Sequence, residues 1–177
     1  MNHTYDLQNF IFESNPGRQD LFSYKKTNHG DKFKVYIYRN HSFEMIEKSI
    51  SAYLDYAELD IQFLYSDYDD SLSFFELDTE ADLVIIWLDL SRYSSDVNTF
   101  IMQRIEVLKN IYRKNILFCY YVCNNEIEIT ITDPQITIYN ISKWREEFGD
   151  KYEDLRLEKF SGSKMSMPLM LAVSRDL

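Results

Sequence analysis

Glycine is scarce in this chain, with four among 177 residues. Neither G-x-G-x-x-G nor G-x-x-x-x-G-K-[ST] occurs, so nucleotide binding through a glycine-rich phosphate loop is not expected. Histidine is rarer still, at three residues. His3 lies in the terminal stretch, His29 in a loop before the first expected strand, and His41 beside Ser42, where sequential side chains point apart. The two cysteines, Cys119 and Cys123, fall on or beside an apolar stretch. Four apart along a strand, they share a face about 13 Å apart at a rise of ~3.3 Å per residue. That is too far for a disulfide, and they read as reduced core thiols of a cytoplasmic protein. No histidine or further cysteine lies near them, so no metal site is expected there. No apolar run approaches the ~20 residues a membrane span needs. Met1–Asp6 lacks the basic region and apolar stretch of a signal peptide. Basic residues are outnumbered 19 to 29, a formal charge of −10 that repels a phosphate backbone. Basic and aromatic residues do not interleave on one stripe either, so nucleic acid is not an expected partner.

What is present is a core. Hydrophobic residues make up 45% of the chain and aromatics 16%, which fits one globular domain. The stretch Ala81–Tyr93 is the most informative. Its continuous apolarity reads as a strand buried on both faces, hence a parallel sheet covered by helices. It stops abruptly in Asp89, Ser91, Arg92 and Tyr93. Ligands of such sheets sit outside the carboxyl ends of the strands, so this polar cluster marks either a site or a cap on the next turn.

Strands are predicted at 33–38, 60–65, 82–88, 115–122 and 136–139. Helices are predicted at about 43–58, 97–113, 141–148 and 166–177. Ser42, Asp96 or Ser95, and Ser166 are the candidate caps of three of them, with Pro168 in the last helix's first turn. Glu126–Thr132 alternates like a half-exposed strand or hairpin arm. Residues 1–31 are polar and irregular, with turns at Asn15-Pro16-Gly17 and Asn28–Asp31, and read as an arm packed on a single domain of residues 32–177. The alternation implies a three-layer α/β/α sandwich with a mainly parallel sheet and right-handed crossovers.

Three loops then converge at the carboxyl edge: Arg39–Ser42, Asp67–Ser73 and Asp89–Tyr93. They bring a hydroxyl, several carboxylates and an arginine to one rim. Ser42 is a candidate nucleophile or a helix cap; as a nucleophile it needs an imidazole base held by a carboxylate. Tyr68–Ser71 offers paired carboxylates to a hard cation, or is a solvated loop whose aspartates bond the local backbone. Arg92 suits a substrate carboxylate or phosphate, or a pairing with Asp70 or Asp89.

The order and spacing of Asn40–Glu44, Tyr68–Phe74, Ala81–Tyr93, Tyr152–Leu157 and Gly162–Ser166 resembles the SGNH-hydrolase-like N-terminal domain of FkbH-like proteins, over about residues 33–177. In that family this domain precedes a phosphatase-like domain of the HAD superfamily. The resemblance implies an SGNH-like, flavodoxin-like fold. By position, Ser42 falls at the nucleophile, the Asp69–Ser71 loop at a glycine oxyanion donor, and Asp89 near an asparagine donor. Asp154 matches the aspartate of the family's Asp-x-x-His block, whose histidine falls at Leu157, a side chain that cannot accept a proton. The phosphatase-like domain would begin where Leu177 stands, and its aspartate-rich signature ending in threonine is not found.

The chain is therefore expected to be a standalone, non-hydrolytic version of the domain. It would bind a substrate, an acyl or carrier protein, or a partner enzyme in polyketide or surface-polysaccharide biosynthesis. The candidate binding residues are Asn40, His41, Asp70, Ser71, Asp89 and Arg92; no cofactor is implied. The alternatives are an esterase or acyltransferase using Ser42 with an atypical base such as Asp154, and a scaffold that docks a separate HAD-type enzyme.

Overall fold

A computed structural model of the chain describes residues 3–27, 32–93, 96–123 and 127–177. Its described strands are β1 (Phe33–Arg39), β2 (Ile61–Tyr68), β3 (Leu83–Asp89), β4 (Ile116–Tyr121) and β5 (Ile136–Asn140). They form one parallel sheet in the order β2-β1-β3-β4-β5. β1 and β3 run through the middle and pair in register from Val35 with Leu83 to Arg39 with Trp87. Being covered on both faces, they are apolar at nearly every position, which is the unbroken run seen in the sequence.

Helices cover both faces, giving the expected three-layer α/β/α sandwich. One face packs the long helix α4 (Val97–Ile111) through Val97, Ile101, Ile105 and Leu108 onto Tyr36, Val84, Ile86 and Phe118. The other packs α3 (Glu44–Tyr56) and α7 (Met167–Asp176) onto Val35, Ile37, Trp87 and Cys119. β1-α3-β2 and β3-α4-β4 advance in opposite directions across the sheet, so right-handed crossovers place α3 and α4 on opposite faces. Between β1 and β3 the direction of advance reverses, and a crevice is expected there.

Several boundaries differ from expectation for identifiable reasons. β2 continues to Tyr68, because Arg39 stays paired with Tyr68 past an irregularity in the ladder. The arm is helical: α1 (His3–Gln8), a wide turn over Asn9–Glu13 and α2 (Arg18–Ser23). It buries Leu7, Ile11 and Leu21 against Ala52 of α3, too few apolar residues to print a stripe. His29 and its loop lie outside the described residues, as do Ser95 and Glu126. The rest of the alternating stretch, 127–132, is not a strand. Ile127, Ile129 and Ile131 instead pack as a crossover against the α4-side core, and the Ile129 N–H donates to the Tyr120 hydroxyl at 3.3 Å. One-sided burial produces the same alternation whether or not a ladder forms.

The expected 141–148 helix begins as a 3₁₀ turn (Ile141–Trp144), becomes α5 (Arg145–Phe148) and continues in a second 3₁₀ turn (Gly149–Lys151). The tail adds α6 (Leu155–Ser161), whose Leu155 and Phe160 face solvent, leaving it without an apolar stripe to reveal it. Asp96 and Ser166 cap α4 and α7, accepting from Thr99 N–H and Leu169 N–H respectively. Cys119 and Cys123 are buried, unpaired, and in the same core cluster.

Candidate functional site

The crevice between β1 and β3 is bridged by the side chain of Asn40. Asn40, the residue after β1, donates from Nδ2 to the Asp89 carbonyl at 3.1 Å and accepts the Asp89 N–H on Oδ1 at 2.8 Å. Both residues are about 1% exposed. The amide reproduces the donor–acceptor pattern of a neighbouring strand, so it closes the crevice while satisfying two backbone groups that water cannot reach. Asn40→Ala leaves both orphaned. We expect it to lower unfolding free energy by about 2–4 kcal/mol, the cost of two buried unpaired groups. Urea denaturation checks this; a variant within error of the parent would contradict the bridging role.

Ser42 does not cap α3. The helix begins at Glu44, with Phe43 at its boundary and no side-chain cap. Instead Ser42 Oγ donates to Glu44 Oε2 at 2.8 Å, and Phe43 N–H donates to the same oxygen at 3.1 Å. Glu44 Oε1 accepts from Arg39 NH1 at 2.5 Å. The Arg39 guanidinium lies 4.4 Å from the Tyr65 ring centroid and 4.6 Å from that of Tyr68. Burial pushes the Glu44 carboxyl up, but the Arg39 and Ser42 hydrogen bonds outweigh it and hold it below the usual range. The carboxylate thus accepts the hydrogen bond of the serine hydroxyl, with no imidazole in the link.

His41 is buried and faces elsewhere. Its ring stacks on Trp87 with centroids 5.3 Å apart, and Nδ1 lies 3.0 Å from Ser163 Oγ. Nε2 is buried and makes no hydrogen bond, so it does not reach Ser42. Burial, followed by the positive charges of Arg92 and Arg39, lowers the imidazole pKa to about 3. The Ser163 hydroxyl is itself fully buried, which removes that pair as a catalytic dyad. It fastens the tail: Tyr152–Asp154 runs antiparallel to Lys164–Ser166, and Arg92 NH2 donates to the Gly162 carbonyl at 2.7 Å. The tail segment 161–166 therefore straps the carboxyl edge over β1 and β3.

The remaining expected residues divide. Asp89 caps the 3₁₀ turn Leu90–Arg92, its Oδ1 accepting from the Ser91 N–H at 2.9 Å and from the Ser91 hydroxyl. Its Oδ2 lies 3.8 Å from Arg92 Nε, so Arg92 is spent on Asp89 and the strap. Asp154 caps α6, accepting from Arg156 N–H at 2.9 Å and Leu157 N–H at 3.3 Å, and is no base for Ser42. In the acidic loop the organising carboxylate is Asp69, which accepts from the N–H and hydroxyl groups of both Ser71 and Ser73 and from the Tyr38 hydroxyl. Burial pushes Asp69 up, but bonds from Ser71, Tyr38 and Ser73 hold it far below the carboxylate range. Asp70 is exposed, and its charge adds to burial in pushing the Tyr93 phenol up. Among the described residues, no three of His, Cys, Asp and Glu gather as a metal site. Glu44, Ser163 and Trp87 are the residues that sequence reading missed; only Glu44, two places from Ser42, had a signal available.

No protein-family model matches the chain, and no curated protein matches it. Among solved structures it is similar to the crystal structure of the N-terminal part of the protein BF1531 from Bacteroides fragilis, containing a phosphatase domain complexed with Mg. The TM-score is 0.56 at 14% identity, over 98% of this chain and 55% of that one. A likeness at that identity concerns the fold alone, and the chain spans about half the length of its neighbour. Among the described residues no helix is long and apolar enough to cross a membrane.

Proposed function

We propose that this chain is a non-hydrolytic, SGNH-like α/β domain that binds a substrate, a carrier protein or a partner enzyme in a biosynthetic pathway, of the kind that builds polyketides or surface polysaccharides. One observation carries the reading: the hydroxyl at the nucleophile position donates a hydrogen bond to the Glu44 carboxylate, while the neighbouring imidazole is turned away, buried and strapped. A carboxylate that stays ionised well below neutral pH is a poor acceptor for a serine proton. Asn40, Asp89 and Arg92 are used up by the fold and Ser42 is buried against Glu44, which leaves Asp70 and Ser71 as the exposed groups among the candidate binding residues.

A short-chain ester assay tests this. Parent and Ser42→Ala are expected to give equal, background-level rates. Hydrolysis that the substitution abolishes would establish the esterase or acyltransferase alternative.

A second reading is favoured by the structural neighbour, whose chain is about twice as long and carries a phosphatase domain. In it, this chain docks a separate HAD-type phosphatase. Tagged chain is then expected to co-elute with such an enzyme from the same source. A monodisperse monomer that passes the candidate by would remove this reading.

A further inference from the structure

β2 is an edge of the sheet, and its outer side is open. Alternate residues of a strand turn their N–H and C=O groups to opposite edges. Phe33 N–H donates to the Asp60 carbonyl, so the even-numbered residues face β1. The odd-numbered ones face outward: the Ile61 carbonyl accepts from Lys26 Nζ at 3.5 Å, and the Asp67 N–H donates to Glu76 Oε2 at 3.5 Å. Between these two ends, the outward N–H and C=O groups of Phe63 and Tyr65 have no partner among the described residues.

Edge strands are normally guarded by shortness, proline, lysine or a bulge. β5, the other edge, is only five residues long. β2 has eight residues, with neither lysine nor proline, and pairs with β1 in unbroken register from Ile61 to Tyr65. Its irregularity comes later, beside Arg39 and Tyr68. The free groups of Phe63 and Tyr65 therefore stand in a row on a regular strand, which is a template for another strand.

The edge is complementary to itself when turned round. Setting Leu64 opposite Leu64 of a second copy places Phe63 opposite Tyr65 on either side of the axis, and each such pair exchanges both its N–H···O bonds. Residues directly opposite share a face of the sheet. Phe63 and Tyr65 lie half-buried on the α3 side, their ring centroids 5.7 and 6.5 Å from that of Phe43, and the second copy covers their open flanks with the same two rings. Leu64, half-buried on the α4 side, meets itself. Charge selects the same direction. The carboxyl end of the strand is acidic, with Asp67, Asp70 and Glu76 exposed, while Lys25, Lys26 and Lys32 at the amino end offset Glu58 and Asp60. An antiparallel neighbour sets each acidic end against those lysines, whereas a parallel one brings the two acidic ends together.

We propose that two copies of this chain associate through β2, antiparallel about a two-fold axis at Leu64, into one sheet continuous across both.

Sedimentation of the whole chain is expected to show a reversible monomer–dimer equilibrium. Leu64→Cys puts two thiols face to face where opposite side chains are about 5 Å apart, and mild oxidation is expected to give a covalent dimer in high yield. The native cysteines are buried and do not compete. Gln62→Cys, exposed on the same face, is the register control. Its two thiols stand about 13 Å apart along the strands and are expected to stay uncrosslinked. Phe63→Pro removes an outward N–H while leaving the ladder to β1 intact. Losing two ordinary hydrogen bonds per dimer is expected to weaken association about thirtyfold, with the circular dichroism spectrum unchanged. A parent that is monomeric at millimolar concentration would overturn the proposal and leave the edge to a strand of another protein. Cross-linking of Gln62→Cys as readily as of Leu64→Cys, or undiminished association of folded Phe63→Pro, would overturn it as well.

Discussion

Trp87→Ala is expected to bring the chain close to unfolding. The indole has no exposed surface and lies at the centre of the α3–α7 face, T-shaped against Phe43 with centroids 5.0 Å apart and stacked on His41 at 5.3 Å. Truncating a buried tryptophan costs about 3–5 kcal/mol, against the about 5–15 kcal/mol that holds a typical domain. The loss is more than volume. Trp87 Nε1 donates to the Ser42 carbonyl at 3.2 Å, so the indole also fixes the turn that presents the serine. Trp87→Phe separates the two effects: it keeps most of the packing, strands one carbonyl, and is expected to cost about 1–3 kcal/mol. Urea midpoints of the three proteins give the comparison. Equal losses in the two variants would mean that packing around His41 and Phe43 does not hold this edge.

Acidification is expected to destabilise the chain through His41 well before its carboxylates titrate. The folded imidazole has a pKa of about 3, against the ordinary 6.5 it regains on unfolding. Between those values the unfolded chain binds a proton that the folded chain refuses. Stability therefore falls as pH drops from about 6.5 towards about 3, and is fully retained above that window. At 1.36 kcal/mol per unit, the loss from about pH 7 to about pH 4.5 is about 2–3 kcal/mol. Urea unfolding at both pH values is the measurement, with His41→Gln as the control that flattens the dependence. The same pH slope in parent and variant would show that His41 titrates freely and is not sealed under the strap.

The rim shows how far local reading reaches. Placing Asn40, Asp70, Asp89 and Arg92 at one edge follows from strand ends alone, because a buried strand has to stop at polar residues. What those residues do there was not legible. Asn40 and Asp89 are paired across a sequence separation of 49 positions. Ser163 reaches His41 across 122. No local pattern encodes such distances, because each pairing is chosen by strand order and by the path of the tail. The short helix over Leu155–Ser161 went unseen for a related reason: it is held by the Asp154 cap and by the strap, with little apolar burial of its own. The isoleucines of 127–131 misled in the opposite direction, since burial on one side leaves the same mark on a crossover as on a strand.

Composition and periodicity by themselves determined the class of this molecule. Apolar β-branched runs alternating with helical stripes can only be buried by a wound parallel sheet between helices, and that requirement is local to each segment. Tertiary structure alone decided the chemistry of the serine. Whether its hydroxyl meets an imidazole or a carboxylate depends on rotamers and on which distant segment covers His41. Here burial and the strap turn the imidazole away, and Glu44 receives the proton bond in its place.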